Sequence, residues 1–228
     1  MFPMIRARAQ ARVNAARSVP GDLVLQGAVE VEDQRRVYSN FFALDEVRLR
    51  HERFDGSMSE TLDRAVFVPV DAAFVLPYDP VRDRVLLIEQ FRMGPLMRGD
   101  RACWQLELIA GRVDAGETPV EAAIREAREE AGLTVGDLQE IAQIYPSSGC
   151  STEFFHVFLG ICDLPDVAEG TGGLAEEGED IRSHLLSFDA LLEMCDAQRI
   201  PNAALTLAAY WLARHRERLR LARGGATS

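Results

Sequence analysis

Between Gly111 and Leu133 the chain reads GRVDAGETPVEAAIREAREEAGL, and no other stretch limits the possible folds as tightly. Thr118 stands as an N-cap, Pro119 occupies the first helical position, and Glu121 completes a capping box, so the spacing predicts a helix over Pro119 to Ala131. Gly132 then supplies the left-handed residue on which helices commonly stop. Val120, Ala123, Ile124, Ala127 and Ala131 follow the helical period and are expected to form the buried stripe. Glu126 and Glu130 lie one turn apart at its edge, with Glu129 beside them. Three carboxylates so close repel one another and resist ionising unless a cation sits between them. A hard divalent ion with oxygen ligands resolves that conflict, magnesium first and manganese as a substitute. Arg125 is expected to pair with Glu121 or Glu129 on the outer side of the cluster. Glu121 with Arg125 and Arg128 otherwise reads as an ordinary solvated face. Gly111 and Gly116 permit the tight loop ahead of the helix.

The 228 residues suit one domain, or one with a small appendage, and 47% of them are hydrophobic, enough for a core. The formal net charge is -11, which disfavours a nucleic-acid backbone as partner, because affinity there comes from neutralised phosphates. All 25 basic residues are arginine, so any phosphate contact must use a guanidinium fork. Cys103, Cys150, Cys162 and Cys195 form no C-x-x-C pair and no zinc spacing, and read as reduced thiols of a cytoplasmic protein. No apolar run approaches the ~18 residues of a membrane span. Met1 to Arg17 holds four arginines and no acid, and is expected to be an exposed helix or arm.

Further strands are predicted at Leu23–Val31 and within Phe41–Phe54, the latter forming a hairpin with Ala65–Val70 through the turn Asp55-Gly56. Ala72–Leu76 and Arg84–Phe91 form a second hairpin around Pro77-Tyr78-Asp79-Pro80. A short strand runs from Trp104 to Ile109. Strands at Gln139–Ile144, Phe154–Ile161 and Ile181–Phe188, and helices at Asp189–Asp196 and Ala203–Leu221, complete the chain. Between them, Asp163 to Asp180 is a Gly- and Glu-rich loop. Irregular alternation of this kind indicates a mixed α/β sandwich.

The 111–133 segment matches the Nudix box, G-x5-E-x7-R-E-U-x-E-E-x-G-U, at Gly111, Glu117, Arg125, Glu126, Glu129, Glu130 and Gly132, with Leu133 at the last U and the small Ala127 at the first. Seven fixed residues at roughly 7% usage each arise by chance on the order of 10⁻⁸ per start point, so the match is informative by itself. Outside the box, PYDPVRDRVLLIEQFR, LELIAG, LAEEGEDI and IPNAALTLAAYWL resemble the ADP-ribose pyrophosphatase branch of that family. The resemblance implies a Nudix α/β/α sandwich with a mixed sheet over residues 65–228, plus an N-terminal arm and β extension over residues 1–64. It implies magnesium-dependent hydrolysis of ADP-ribose to AMP and ribose 5-phosphate, and a homodimer paired through the N-terminal strands. The alternatives are GDP-mannose or another nucleoside diphosphate sugar as substrate, or a module that binds a nucleotide without cleaving it. By the same resemblance the carbonyl of Ala110 joins Glu126 and Glu130 as metal ligands, with Glu129 and Glu177 completing the acidic set and Arg125 supporting it. Glu177 is expected to activate water, with Glu179 as its rival. Arg64 and Arg92 are expected on the phosphates, Phe41 on the adenine and Glu153 on the terminal ribose. The family's Pro-Gly turn is replaced here by Ser148-Gly149, a departure that bears on substrate selectivity.

Overall fold

The computed structural model describes residues 2–17, 27–168, 170–173 and 178–224. They divide into two compact units: Met1–Asp71 with Val113–Gly116 and Tyr145–Phe154, and Ala72–Arg112 with Glu117–Ile144 and Phe155–Ser228.

The first unit holds helix α1 (Phe2–Arg17) and an antiparallel sheet of β1 (Val29–Ser39), β2 (Ala43–His51) and β3 (Leu62–Val68), in the order β1-β2-β3. Asp45 on β2 is buried, and the Arg36 guanidinium donates to it at 2.6 and 3.0 Å from across the ladder. Those bonds outweigh the burial that alone would raise the carboxyl, and Asp45 stays below the usual carboxylate range. Arg8 reaches from α1 to the carbonyls of Asn40 and Phe41 at 3.1 and 2.7 Å, tying the helix to the β1–β2 turn. The segment Cys150–Thr152 bonds to both backbone groups of Phe67, so it runs alongside the end of β3.

The second unit is built on β4 (Ala72–Asp79) and β5 (Arg84–Phe91), apolar runs buried along nearly their whole length. Its remaining elements are α2 (Met93–Arg98), β6 (Trp104–Glu107), β7 (Ile109–Arg112), α3 (Pro119–Ala131), β8 (Leu138–Ile144), β9 (Phe155–Ile161), β10 (Thr171–Gly172), β11 (Ile181–Ser187), α4 (Phe188–Asp196) and α5 (Ala203–Gly224). The sheet runs β10-β11-β5-β4-β9-β8, with β6 on β5 and β7 on β4. β4 and β9 pair in parallel and all other neighbours antiparallel, so the sheet is mixed. Leu76, Tyr78, Leu87 and Leu159 of the sheet share one core with Phe188 of α4 and Leu205 and Leu212 of α5. Helix α3 packs against β4 and β7. No helix among the described residues is long and apolar enough to cross a membrane.

Several expected boundaries move. The strand expected from Leu23 begins at Val29, and residues 18–26 lie outside the described part. Asp55-Gly56 does turn, with Gly56 at φ 82°, but inside a longer loop, because β2 ends at His51 and β3 starts at Leu62. The β4–β5 turn falls at Pro80–Asp83 rather than at Pro77–Pro80, since Tyr78 and Asp79 still pair with Val85 and Arg84. The single strand expected over Trp104–Ile109 is two, and the chain changes partner from β5 to β4 between Glu107 and Ile109.

Asp83 takes a left-handed φ of 58° in that turn. Its carboxylate accepts from the Tyr78 hydroxyl at 2.7 Å, from Arg216 Nε at 2.9 Å and from Arg220 at 2.8 Å, and Arg216 also bonds Asp189 at 2.6 Å. One carboxylate thus joins the β4–β5 turn to α5. Burial would raise the Asp83 carboxyl, but the Arg216 and Tyr78 bonds prevail and hold it below its ordinary value. A depressed folded pKa stabilises the protein above the unfolded value near ~3.9, and that contribution is lost as pH falls through the folded value. Asn tolerates the left-handed backbone, so Asp83→Asn removes the charge and one acceptor without straining the turn. It is expected to cost about 3 kcal/mol at pH 7 in denaturant unfolding. The difference from the unsubstituted chain should shrink below about pH 4.

Candidate active site

The capping box forms as the sequence requires: the Thr118 hydroxyl accepts from Glu121 N at 3.2 Å, and Glu121 accepts from Thr118 N at 2.8 Å. Gly132 ends the helix at φ 63°. The expected buried stripe is corrected. Ala122, Ala123, Ala127 and Glu130 are buried, whereas Val120 and Ile124 are 43% and 37% exposed. The buried face is turned toward the two glutamates, because alanines let the helix approach closely and Glu126 and Glu130 fill the space beyond them.

Glu130 is 1% exposed, and its Oε2 accepts from the Ala110 amide at 3.0 Å. Glu126 lies against Gly111, where a Cβ would stand 1.7 Å from Glu126 Oε1. Gly111 is therefore required by space: any side chain would take the position of a carboxylate.

Arg125 is the tie of this region. Its Nε and Nη2 bond both oxygens of Glu117 at 2.9 and 3.1 Å, its Nη1 bonds Glu126 at 2.6 Å and Glu129 at 3.0 Å, and Nη2 also donates to the Arg112 carbonyl at 3.1 Å. These bonds hold the guanidinium firmly protonated. Of the two expected partners, Glu129 is the one it takes; Glu121 is engaged with Thr118. Glu117 was legible only as a box position, since a contact eight residues away depends on how the loop folds back.

Burial is the largest influence on both inner carboxyls. It raises Glu126, with Arg125 opposing and Glu129 and Glu179 adding to the rise. It pushes Glu130 up to about 8, against the Ala110 amide and Arg92, with Glu126 and Glu179 again adding. A buried pair of this kind is costly unless a cation joins it. Among the described residues no three acidic, His or Cys side chains form a finished cage. The two carboxylates, with Glu179 near enough to act on both, suit a hard divalent ion with oxygen ligands.

The loop carrying Glu179 crosses the end of α3 closely. The Gly173 amide donates to the Glu129 carbonyl at 3.3 Å, and a Cβ on Gly172 would stand 2.0 Å from the Glu130 carbonyl oxygen. Glu177 lies outside the described residues.

The expected substrate contacts fall in both units. Arg92 follows β5, and Glu107 holds it through Nε at 2.8 Å. Phe41, Arg64 and Glu153 belong to the first unit. Phe41 is half-exposed, edge-on to Phe42, which lies tilted against Phe67, and Glu153 follows the segment bonded to Phe67. Arg64 sits on β3 opposite Val47 and is exposed, its Nη1 donating to the Asp63 carbonyl. Arg8, which fixes the Phe41 carbonyl, gave no signal in the sequence beyond being one arginine in a basic arm.

Half-buried Glu126 and buried Glu130 thus stand together on a capped helix, against a glycine of β7. The family model described as NUDIX domain matches residues 68–206, and the chain belongs to the Nudix family. It is 38% identical over 192 residues to the ADP-ribose pyrophosphatase of Escherichia coli (strain K12), covering 84% of this chain and 91% of that protein. It is 36% identical over 190 residues to the ADP-ribose pyrophosphatase of Haemophilus influenzae, covering 82% and 87%. A GDP-mannose pyrophosphatase of Escherichia coli is 31% identical over 173 residues, covering 76% and 88%. The crystal structure of an ADP compounds hydrolase shares the fold at a TM-score of 0.62 and 20% identity, over 86% of this chain and 98% of that one.

Gly111→Ala should displace Glu126 and lower divalent-dependent turnover by about 100-fold or more, since shifts of an ångström at a reacting centre cost that much. Unchanged turnover in a steady-state assay would show that Glu126 need not occupy this position.

Proposed function

We propose that the chain hydrolyses the diphosphate of ADP-ribose to AMP and ribose 5-phosphate, with magnesium, or manganese in its place. The observation that carries this reading is the pair of half-buried Glu126 and buried Glu130 against Gly111, in a chain 38% identical to an ADP-ribose pyrophosphatase along 84% of its length. A retained acidic set argues against a module that only binds. The alternative reading is hydrolysis of GDP-mannose or another nucleoside diphosphate sugar, supported by the weaker 31% identity.

In this reading Glu126, Glu130 and the Ala110 carbonyl hold the ion, with Glu129 and the acidic loop completing the set. Bound there, magnesium supplies charge that neutralises the diphosphate and acidifies water. Arg125 keeps Glu126 and Glu129 in place. Water attacks one phosphorus, the bridging P–O bond breaks, and a loop carboxylate takes the water's proton. Glu177 is the proposed base and Glu179 its rival, supported by its field on Glu126 and Glu130. Arg92 and Arg64 contact the phosphates, Phe41 the adenine and Glu153 the terminal ribose.

The N-terminal extension, residues 1–64, pairs two copies in this reading and leaves residues 65–228 as the catalytic part. Every residue of β1 is exposed in the single chain, including Val29, Val31, Val37 and Tyr38. Its outer edge leaves backbone groups open to a second strand, and its mixture of exposed apolar and charged side chains suits pairing with another copy. The protein is read as cytoplasmic, with reduced thiols and no nucleic-acid or membrane partner.

Chelation of divalent ions, Glu126→Gln and Glu130→Gln should each nearly abolish turnover. In a product assay, kcat/KM for ADP-ribose should exceed that for GDP-mannose; the reverse order makes GDP-mannose the substrate. Sedimentation should give about twice the 25.3 kDa chain mass, and a stable monomer would remove the dimer. Glu177→Gln should lower kcat by about 10² to 10⁴ while shifting stability by less than ~0.5 kcal/mol. If Glu179→Gln has that effect and Glu177→Gln does not, the base is Glu179.

A further inference from the structure

Arg92 does not end β5 as a free surface arginine. Its Nε donates to Glu107 Oε2 at 2.8 Å, and Nη2 pairs with the same oxygen at 2.7 Å. Glu107 is on β6, and the register sets Cys103, not Glu107, beside Arg92. The side chain must therefore run back along the sheet to reach its partner. Glu107 is the buried member, at 11% exposure against 40% for Arg92. Its second oxygen, Oε1, accepts from Asn202 Nδ2 at 3.1 Å. Asn202 is in turn fixed as the cap of α5: its Oδ1 accepts from Leu205 N at 2.9 Å and its carbonyl from Thr206 N at 3.0 Å. The helix cap holds the amide, the amide holds one carboxylate oxygen, and the other oxygen holds one edge of the guanidinium. Nη1 is left outside this clamp, with no hydrogen-bond partner among the described residues. Glu107 ends β6, and three residues on, the Ala110 amide of β7 donates to Glu130 at 3.0 Å, so the clamp is built on the stretch of chain that meets the acidic pair.

We propose that Glu107 and Asn202 are positioning residues that aim the free edge of Arg92 at the diphosphate beside Glu130. This rests on the reading that Arg92 contacts phosphate. The physical reason is entropic and geometric. A free arginine loses rotamer freedom when it binds an oxyanion, whereas a clamped one is already ordered and presents its donors in a fixed plane. Glu107 also desolvates one edge of the guanidinium, so a phosphate approaching the other edge meets a set direction.

The test is a double-mutant cycle with a conservative variant beside it. Glu107→Gln keeps the shape and removes the charge, and should lower kcat/KM for ADP-ribose by about 10- to 100-fold. In an Arg92→Ala background the same change should alter kcat/KM by less than about 2-fold, because the clamp has nothing left to aim. Asn202→Asp retains the capping oxygen, since Asp caps as well as Asn, but replaces the donor to Glu107 with a like charge. It should reproduce part of the loss with α5 intact by circular dichroism, which keeps the test decisive if Glu107→Gln folds poorly. A loss from Glu107→Gln that is equally large without Arg92, or unchanged kcat/KM in both Glu107→Gln and Asn202→Asp, overturns the proposal. If the unsubstituted protein does not cleave ADP-ribose, that reading of function fails, and the same cycle is read as affinity for inorganic pyrophosphate by calorimetry. There, coupling to Arg92 supports the clamp and independence overturns it.

Discussion

Two glutamates on the inward face of α3 set the terms for the rest of the site. Placing Glu130 and Glu126 here is unfavourable in isolation: burial raises both carboxyls, and the charge of Glu126 adds to the rise at Glu130. The surrounding structure offsets only part of that cost. The Ala110 amide serves one carboxylate and Arg125 the other, while Gly111 leaves the volume that Glu126 occupies. The remainder is a cost that a bound cation would offset, in keeping with the metal site proposed above.

The two ends of α5 serve different parts of this arrangement. Asn202 caps the helix and reaches Glu107, the carboxylate under Arg92. Near the other end, Arg216 and Arg220 converge on Asp83 in the β4–β5 turn. β5 runs between those points, from Arg84 to Phe91, with Arg92 immediately after it. A single helix is thereby bonded at both ends of the strand that delivers the arginine. Precision at Arg92 comes from this bracing, because a side chain on a freely moving strand end would gain little from a well-placed partner.

The first unit has a different economy. Asp45 and Arg36 knit β1 to β2, and Arg8 secures the turn that carries Phe41, yet β1 stays uncovered along its length. Its three proposed substrate residues, Phe41, Arg64 and Glu153, gather around β3 and the segment bonded to it. Ion pairs such as Arg36 with Asp45 and Arg35 with Glu46 join β1 to β2 in place of apolar cover.

Local chemistry was readable from the sequence by itself. The cap at Thr118, the box with Glu121, the stop at Gly132 and the spacing of Glu126 from Glu130 all act within about one helical turn, where residue order is nearly equivalent to position. That is why α3 and the family could be read directly. The direction α3 faces could not. Periodicity ranks Val120 and Ile124 as inner and glutamate as outer, and it fails where a functional site buries charge on purpose. Glu107 with Asn202, 95 residues apart, and Asp83 with Arg216, 133 apart, were equally silent. Nothing in the spacing of such pairs marks them, because their geometry exists only once β5, β6 and α5 are packed. The sequence determined which groups were available and the helix that presents them. Tertiary packing decided which of them are buried, which are paired, and which edge of Arg92 is left free, because burial and long-range pairing depend on which surfaces meet.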